Sequence, residues 1–444
     1  MDPHFLILIC WMLEFVHAGL NWASIEATLP SLKVPAPFIV DTALDSSYNP
    51  PKPEKQTRLV LCRERNGWCP YSERVWLALE VKNIEYDTVL IDNMGGQRPS
   101  WYAGQTPQVR FNGDTRFRGE SMDLVEQIDG LDSTAGMSLY PVDRLKEVMS
   151  AISAFKSIYP RYTRPSSRAA FLFSQSGTPL LRSDFEKCLE GTEKLLEEGY
   201  DQWGGPFFCG EEITAADIAW APFLERYSAQ LPLLHEGLYP RDADKYPRLT
   251  QWYKSMETLV PAYHSRVQGD PASWFKVLRQ QGFGNSGIAP ELVSSVPTTQ
   301  RGGKERLLMN MRFVAHQYYA KDRPWVADTP YEEAVSLCVK NRGAIVADML
   351  KKTGHSFGND ESKAEEALYR LVEQLQASLE DSETALSTGI LPREQQVPRD
   401  SAAVALMAAE YMVNRICVPR DMGCATAQCF YDTKKKLDSI CRTS

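Results

Sequence analysis

Residues 58–91 read RLVLCRERNGWCPYSERVWLALEVKNIEYDTVLI, and the fold turns on how this stretch is punctuated. Arg58 to Cys62 is a short apolar run of strand character, closed by a turn at Asn66 and Gly67. Pro70 suits the first position of a helix, where its missing N–H costs nothing. Val75, Trp76 and Leu79 then recur at helical spacing to about Val81. Glu85 to Ile91 returns as a strand, so Cys69 falls at the N-cap of the intervening helix. Unpaired backbone N–H groups and the helix dipole favour thiolate over thiol there, and bring cysteine pKa values to roughly 3.5 to 7.5. The expectation is an ionised, reactive Cys69. Ser72 stands where a C-x-x-C pair has its second cysteine, so the site closes no disulfide of its own. A mixed disulfide at Cys69 needs an external thiol to resolve it.

Downstream, Arg98-Pro99-Ser100-Trp101-Tyr102 reads as a turn or short helix and Gln108 to Phe111 as a strand. Asn112-Gly113-Asp114 makes a tight hairpin turn into Thr115 to Arg118, and Ser121 caps a helix that stops at Gly130. The order β-α-β-(short α)-β-β-α is that of a thioredoxin-like α/β unit.

At this point the chain resembles the glutathione transferase superfamily, most closely its cysteine-bearing omega, lambda and dehydroascorbate reductase branches. Cys69-Pro70-Tyr71-Ser72 stands where these branches have their catalytic cysteine motif, and the Arg98 to Tyr102 segment is similar to their basic-Pro-x-Trp-aromatic stretch. Gly104-Gln105-Thr106-Pro107 resembles the run that ends in the family's cis-proline, with Thr106 where transferases usually have Val. Glu120-Ser121 resembles the acidic-Ser pair that holds the γ-glutamyl end of glutathione. The resemblance implies Cys69 as the catalytic residue and Tyr71, Arg98, Thr106, Pro107, Glu120 and Ser121 as the glutathione-binding set.

Each of these residue types has a physical reason to be there. Ser121 at a helix N-terminus offers a hydroxyl and free N–H groups to a carboxylate, Glu120 takes the ammonium, and Arg98 forks onto the far carboxylate. With Thr106-Pro107 cis, the Thr106 backbone is free to pair in strand fashion with the cysteinyl residue of the tripeptide. Plainer readings stand beside these: Arg98 solvated at the surface, Ser121 only capping its helix, Pro107 an ordinary turn proline.

From Pro141 to about Arg279 the pattern is helical, with expected helices at 142–158, 180–199, 214–228 and 246–257. Thr214-Ala215-Ala216-Asp217 has capping-box spacing with Asp in place of Glu, so Thr214 and Asp217 are given a structural role. It resembles the capping box of the buried helix in the transferase helical domain. A second, apolar substrate would lie between Tyr71 and the first long helix, near Phe155, Tyr159 and Tyr162. Residues 284–303 have linker composition. Beyond them, helices are expected at 304–320, 331–351, 362–380 and 399–416, with Ala364, Leu368, Leu371, Leu375 and Leu379 tracing one apolar face.

The domain organisation read from the sequence is thus a targeting segment and linker over 1–57, a thioredoxin-like glutathione-binding domain over 58–132, an all-α transferase-type domain over 138–283, a linker over 284–303 and an extra all-α domain over 304–444. Residues 5–19 (FLILICWMLEFVHAG) carry the targeting reading: an apolar run with a small-residue end, too short to span a bilayer, and preceded by Asp2 rather than by Lys or Arg.

Charge and cysteine usage narrow the partners. With 49 basic against 57 acidic residues and a net charge of -8, the chain lacks the basic surplus that phosphate backbones require, so no nucleic acid is expected. Ten cysteines spread over 444 residues do not make the disulfide frame of a small secreted scaffold, which points to a reducing compartment: the cytoplasm, or an organelle such as the plastid if the N-terminal segment is a targeting signal. Cys417, Cys424, Cys429 and Cys441 lack the spacing of paired zinc knuckles, so no metal is expected.

The function expected is that of a glutathione-dependent thiol transferase or dehydroascorbate reductase working through a Cys69–glutathione mixed disulfide. Glutathione is then co-substrate, a small oxidised or electrophilic compound is the partner, no membrane span is present and a homodimer is left open. The alternatives are conjugation of glutathione to electrophiles, and a non-catalytic adaptor on a transferase fold.

Overall fold

The structure is a computed structural model of the 444-residue chain. It describes residues 20–29, 39–42, 47–65, 67–93, 98–131, 137–159, 180–260, 262–263, 268–269, 329–388, 397–416, 422 and 424–442. In chain order the elements are α1 (Trp22–Thr28), β1 (Ile39–Asp41), β2 (Leu59–Glu64), α2 (Pro70–Val81), β3 (Tyr86–Ile91), β4 (Gln108–Arg110), α3 (Ser121–Asp129), α4 (Leu145–Ile158), α5 (Arg182–Trp203), α6 (Ala215–Leu234), α7 (Pro247–Leu259), α8 (Pro330–Lys340), α9 (Arg342–Thr353), α10 (Glu361–Thr388), α11 (Arg399–Arg415) and α12 (Cys424–Arg442). They fall into two units, one of residues 35–323 with 416–425, the other of 1–34, 324–415 and 426–444.

In the first unit the strands order as β1-β3-β2-β4, with β1 and β2 parallel to β3 and β4 antiparallel to β2. Every residue of β2 is buried because both of its faces are covered. Leu59 and Leu61 face the main core with Val75, Leu79, Leu124 and Val125, whereas Val60 and Cys62 join Val89, Ile91 and Tyr102 on the other face. The stretch read as linker is corrected here. Ile39–Asp41 is an edge strand, and Thr42 just after it donates its hydroxyl to the Leu90 carbonyl at 2.8 Å. The expected strand Thr115 to Arg118 is corrected as well: it shrinks to one bridge, in which Arg118 and Val109 exchange backbone hydrogen bonds of 2.8 and 2.9 Å.

The helical part of this unit is built around α6. Ala215 to Ala221 are buried without a break, so the helix is covered all round rather than along one stripe. Asp217, fully buried, accepts from the Thr214 N–H at 2.9 Å, the Thr214 hydroxyl at 3.0 Å, the Phe208 N–H at 3.1 Å and Trp252 Nε1 at 2.9 Å. One carboxylate thus ties the start of α6 to the preceding loop and to α7. Gly199 lets that loop approach α5, since a Cβ there would lie 2.2 Å from the Phe208 carbonyl oxygen. The expected linker over 284–303 lies outside the described residues, as does the end of the expected helical domain.

The second unit is all-α. The helix expected over 331–351 is corrected to two, α8 and α9, which meet at Asn341. Thr329 opens α8 with a capping box, accepting from Glu332 N–H at 3.1 Å. Along α10, Ala364, Leu368, Leu371 and Leu375 are fully buried, while Leu379 is outside the described side chains. Helix α1, from the stretch read as targeting segment and linker, packs here: Trp22 meets Tyr369 edge-on at 5.1 Å and donates to Glu365 at 3.0 Å. The expected helix 304–320 and the apolar run 5–19 lie outside the described residues. Among the described residues no helix is long and apolar enough to cross a membrane.

Candidate active site

The chain leaves β2 through a turn in which Gly67, at φ +71°, donates to the Glu64 carbonyl at 3.2 Å, and the Glu64 carboxylate accepts from the Trp68 N–H at 2.9 Å. Cys69 follows as the N-cap of α2 with extended backbone (φ −84°, ψ 112°) and Pro70 in the first turn. A fully buried ion pair fixes this corner. Arg226 of α6 bonds both Glu73 carboxylate oxygens at 2.7 and 3.0 Å and the Trp68 carbonyl at 2.9 Å. The pairing holds the Arg226 proton more tightly than usual.

The Cys69 thiol is 3% exposed and donates to the Thr106 carbonyl across 3.7 Å. Two forces of opposite sign act on it. Burial pushes its pKa up, as does the nearby Glu64 carboxylate; the proximity of the Ser72 hydroxyl and of the Ser72 and Tyr71 N–H groups pulls it down. Burial wins, so Cys69 sits above the ordinary thiol value and carries its proton at neutral pH. This corrects the expectation of a thiolate. The helix start lowers the pKa, but the burial of the sulfur raises it by more.

Thr106-Pro107 is cis. The Thr106 carbonyl, expected to be open to a ligand, is engaged by the Cys69 thiol, and the Thr106 hydroxyl accepts from Asn93 Nδ2 at 2.8 Å. Arg98, expected to fork onto a ligand carboxylate, instead binds its own loop, donating to the Gly104 carbonyl at 2.6 Å and to Asn93 Oδ1 at 2.5 Å. The chain Arg98–Asn93–Thr106 therefore shapes the wall facing Cys69. Asn93 carries no signature in the sequence; only its place just past β3 hints at it.

Ser121 is not the cap of α3 but its first residue, and it is buried. The cap is the exposed Glu120, held at φ +62°. A non-glycine residue in that region costs of order 1–3 kcal/mol, and such residues concentrate at ligand sites. Among the described residues neither Glu120 nor Ser121 hydrogen-bonds Cys69 or Thr106, so the two pairs are not joined directly.

Beside the cysteine, α2, α4 and α6 bring aromatic rings together. Tyr71 meets Phe223 at 5.9 Å, Phe155 stacks on Tyr159 at 4.3 Å and lies 4.6 Å from Phe223. Tyr71 and Phe155 are half-buried and Tyr159 is buried. Tyr162 lies outside the described residues. Arg74 reaches into this group, with its guanidinium 5.5, 5.2 and 5.0 Å from the rings of Tyr71, Phe155 and Phe223. Burial draws Arg74 down to about 10, which leaves it charged at neutral pH. Its signal in the sequence is its spacing three residues after Tyr71, on the same helix face. Among the described residues, no group of three or more His, Cys, Asp or Glu could hold a metal ion.

Two family profiles match the chain: "Glutathione S-transferase, N-terminal domain" over residues 68–126 and "Glutathione S-transferase, C-terminal domain" over residues 163–255. The chain is similar to "Probable glutathione S-transferase DHAR1, cytosolic" of Oryza sativa subsp. japonica, 31% identical over 198 residues that cover 44% of this chain and 83% of that protein. It is also similar to two proteins of Arabidopsis thaliana. "Glutathione S-transferase L1" is 28% identical over 54% of this chain and 95% of that protein, and "Glutathione S-transferase L2, chloroplastic" is 28% identical over 57% and 85%.

Proposed function

Because the chain belongs to the glutathione S-transferase family, we propose that it is a glutathione-dependent thiol transferase or reductase whose sulfur chemistry runs through Cys69. The observation that carries this reading is the position of Cys69 as the N-cap of α2, where the nearby Ser72 hydroxyl and the N–H groups of Tyr71 and Ser72 pull its pKa down. Donors so placed stabilise negative charge developing on sulfur, although in the closed site they do not outweigh burial.

The cycle has two exchanges. The Cys69 thiolate attacks the glutathionyl sulfur of a mixed disulfide, the substrate thiolate leaves and takes up a proton, and Cys69 becomes glutathionylated. The thiolate of a second glutathione then attacks that glutathionyl sulfur, releasing glutathione disulfide and the Cys69 thiolate. An external thiol is required because Ser72 occupies the resolving position. Ser121 and the N–H groups opening α3 receive the γ-glutamyl carboxylate in this reading, and Glu120 the ammonium. Arg98 acts through Asn93 and Thr106 rather than by touching glutathione.

The burial of Cys69 favours a second reading, a binding protein without turnover. Reduction of dehydroascorbate or of a glutathionylated substrate, compared with conjugation of chlorodinitrobenzene, separates the two. The proposal expects reductive turnover that Cys69→Ser abolishes. Retention on immobilised glutathione with no turnover in either assay, unchanged in Cys69→Ser, supports the binding protein and removes the enzyme.

A further inference from the structure

The all-α second unit carries a cleft of its own. It has a volume of about 360 Å³ and lies where α9 ends, beside the single turn Gly354–Phe357 and along α11, and every residue that lines it belongs to that unit. Buried Phe357 and Tyr411 and half-buried Met407 supply its apolar lining, while Lys352, Glu410 and Arg415 line it from exposed positions. Met407, Tyr411 and Arg415 follow one another at four-residue spacing, on one ridge of α11.

Tyr411 Oη and Arg415 Nε both donate to one oxygen of Asp348, Oδ2, at 2.6 and 2.7 Å. Among the described residues no hydrogen bond leaves Arg415 Nη1 or Nη2. The bond at Nε fixes the guanidinium plane and leaves the Nη1–Nη2 edge, a pair of parallel N–H groups, for a further acceptor. Through contacts of 4 Å or less, Arg415, Lys434 and Arg442 are matched by Asp348, Glu410 and Asp438, and Lys352 has no such partner among the described residues. One positive charge is thus left over at the cleft. A cation in the last turn of α9 and of α11 also offsets the helix dipole, but that role asks for neither a fixed guanidinium nor an opening beside it.

We propose that this cleft binds a small apolar-bodied monocarboxylate, with the carboxylate on Lys352 and Arg415 and the body against Phe357, Met407 and Tyr411. The volume is at the low end of small-molecule pockets, about 300–1,000 Å³. A single negative charge matches the single cation in excess. A dianion such as a phosphate monoester fits less well, because two helix C-termini and Glu410 oppose a second negative charge. The inference does not depend on the chemistry of Cys69, which lies in the other unit.

The test titrates the full chain, by fluorine NMR, with three probes of similar shape: trifluoromethylbenzoate, the uncharged trifluoromethylbenzyl alcohol and the dianionic trifluoromethylphenyl phosphate. The wild-type chain should bind the benzoate about tenfold more tightly than the alcohol, the scale of one charge-assisted pair, and the phosphate no more tightly than the benzoate. Arg415→Gln should bring the preference for benzoate to about unity, Lys352→Gln should lower it in part, and Met407→Trp, which fills the cleft, should weaken benzoate and alcohol alike. Glu410 lies about 7.5 Å from Arg415 along α11, so Glu410→Gln should tighten the benzoate about two- to threefold and leave the alcohol unchanged. Misfolding does not produce such a gain. Equal binding of benzoate and alcohol by the wild-type chain overturns the proposal, and that measurement needs no variant to fold. A preference that survives in Arg415→Gln, or a benzoate affinity unmoved by Met407→Trp, places the anion elsewhere and overturns it too. Phosphate bound about tenfold more tightly than benzoate overturns the assignment to a monocarboxylate.

Discussion

At Cys69 a helix start and burial pull the same proton in opposite directions. Burial wins, so the rate of alkylation should climb with pH rather than level off near neutrality. With iodoacetamide, the Cys69 rate is expected to rise about tenfold per pH unit through neutral pH and to flatten only above the ordinary thiol value near 8.5. Ser72→Ala removes a donor to the charged form, so its curve should shift further to alkaline pH, with a loss of about tenfold in rate at a fixed pH below the plateau. A plateau below pH 7 would contradict the burial argument. The position of Cys69 was legible in the sequence, because a proline after it and the apolar period beyond it fix where the helix begins. Its enclosure was not, because the groups that enclose it, Thr106 and Arg226, come from 37 and 157 residues further along the chain.

Among the elements, the joint between α2 and α6 positions the site. Arg226 binds Glu73 and the Trp68 carbonyl, both within four residues of Cys69, and all three charged or carbonyl partners are out of water. Removing one member of such a pair typically costs about 3–5 kcal/mol, because the other is left buried and charged. Arg226→Met should therefore destabilise the chain by about that amount in urea unfolding, and Arg226→Met with Glu73→Met by much less. A single variant within about 1 kcal/mol of wild type would mean that water enters and solvates Glu73. Helices α2, α4, α6 and α7 were legible from period and punctuation, since each keeps a repeating apolar set. Strand β1 was not: three residues inside a Pro- and Ser-rich stretch give no period, and only its pairing with β3 makes them a strand. The split between α8 and α9 was missed for the opposite reason. The apolar pattern runs on through Asn341, and only the backbone turn there divides it.

For the whole molecule, the family match accounts for the unit that holds the cysteine and leaves the helices α8 to α12 as an addition to it. The sequence disclosed that addition as all-α but not that Trp22 and its helix belong to it, since a seven-residue helix far from its partners in the chain has no local signature. The central claim concerns one sulfur among ten. In the described residues Cys62, Cys188, Cys209, Cys338 and Cys429 are also buried, so burial alone does not single out Cys69. Its distinction is its place as the N-cap of a helix. The direct measurement is to incubate the full chain with glutathione disulfide at about pH 8.5, record the intact mass and map the modified peptide. The expected result is one glutathionyl group on Cys69, released by free glutathione and absent in Cys69→Ser. No adduct at Cys69, or an adduct confined to another cysteine, would contradict it.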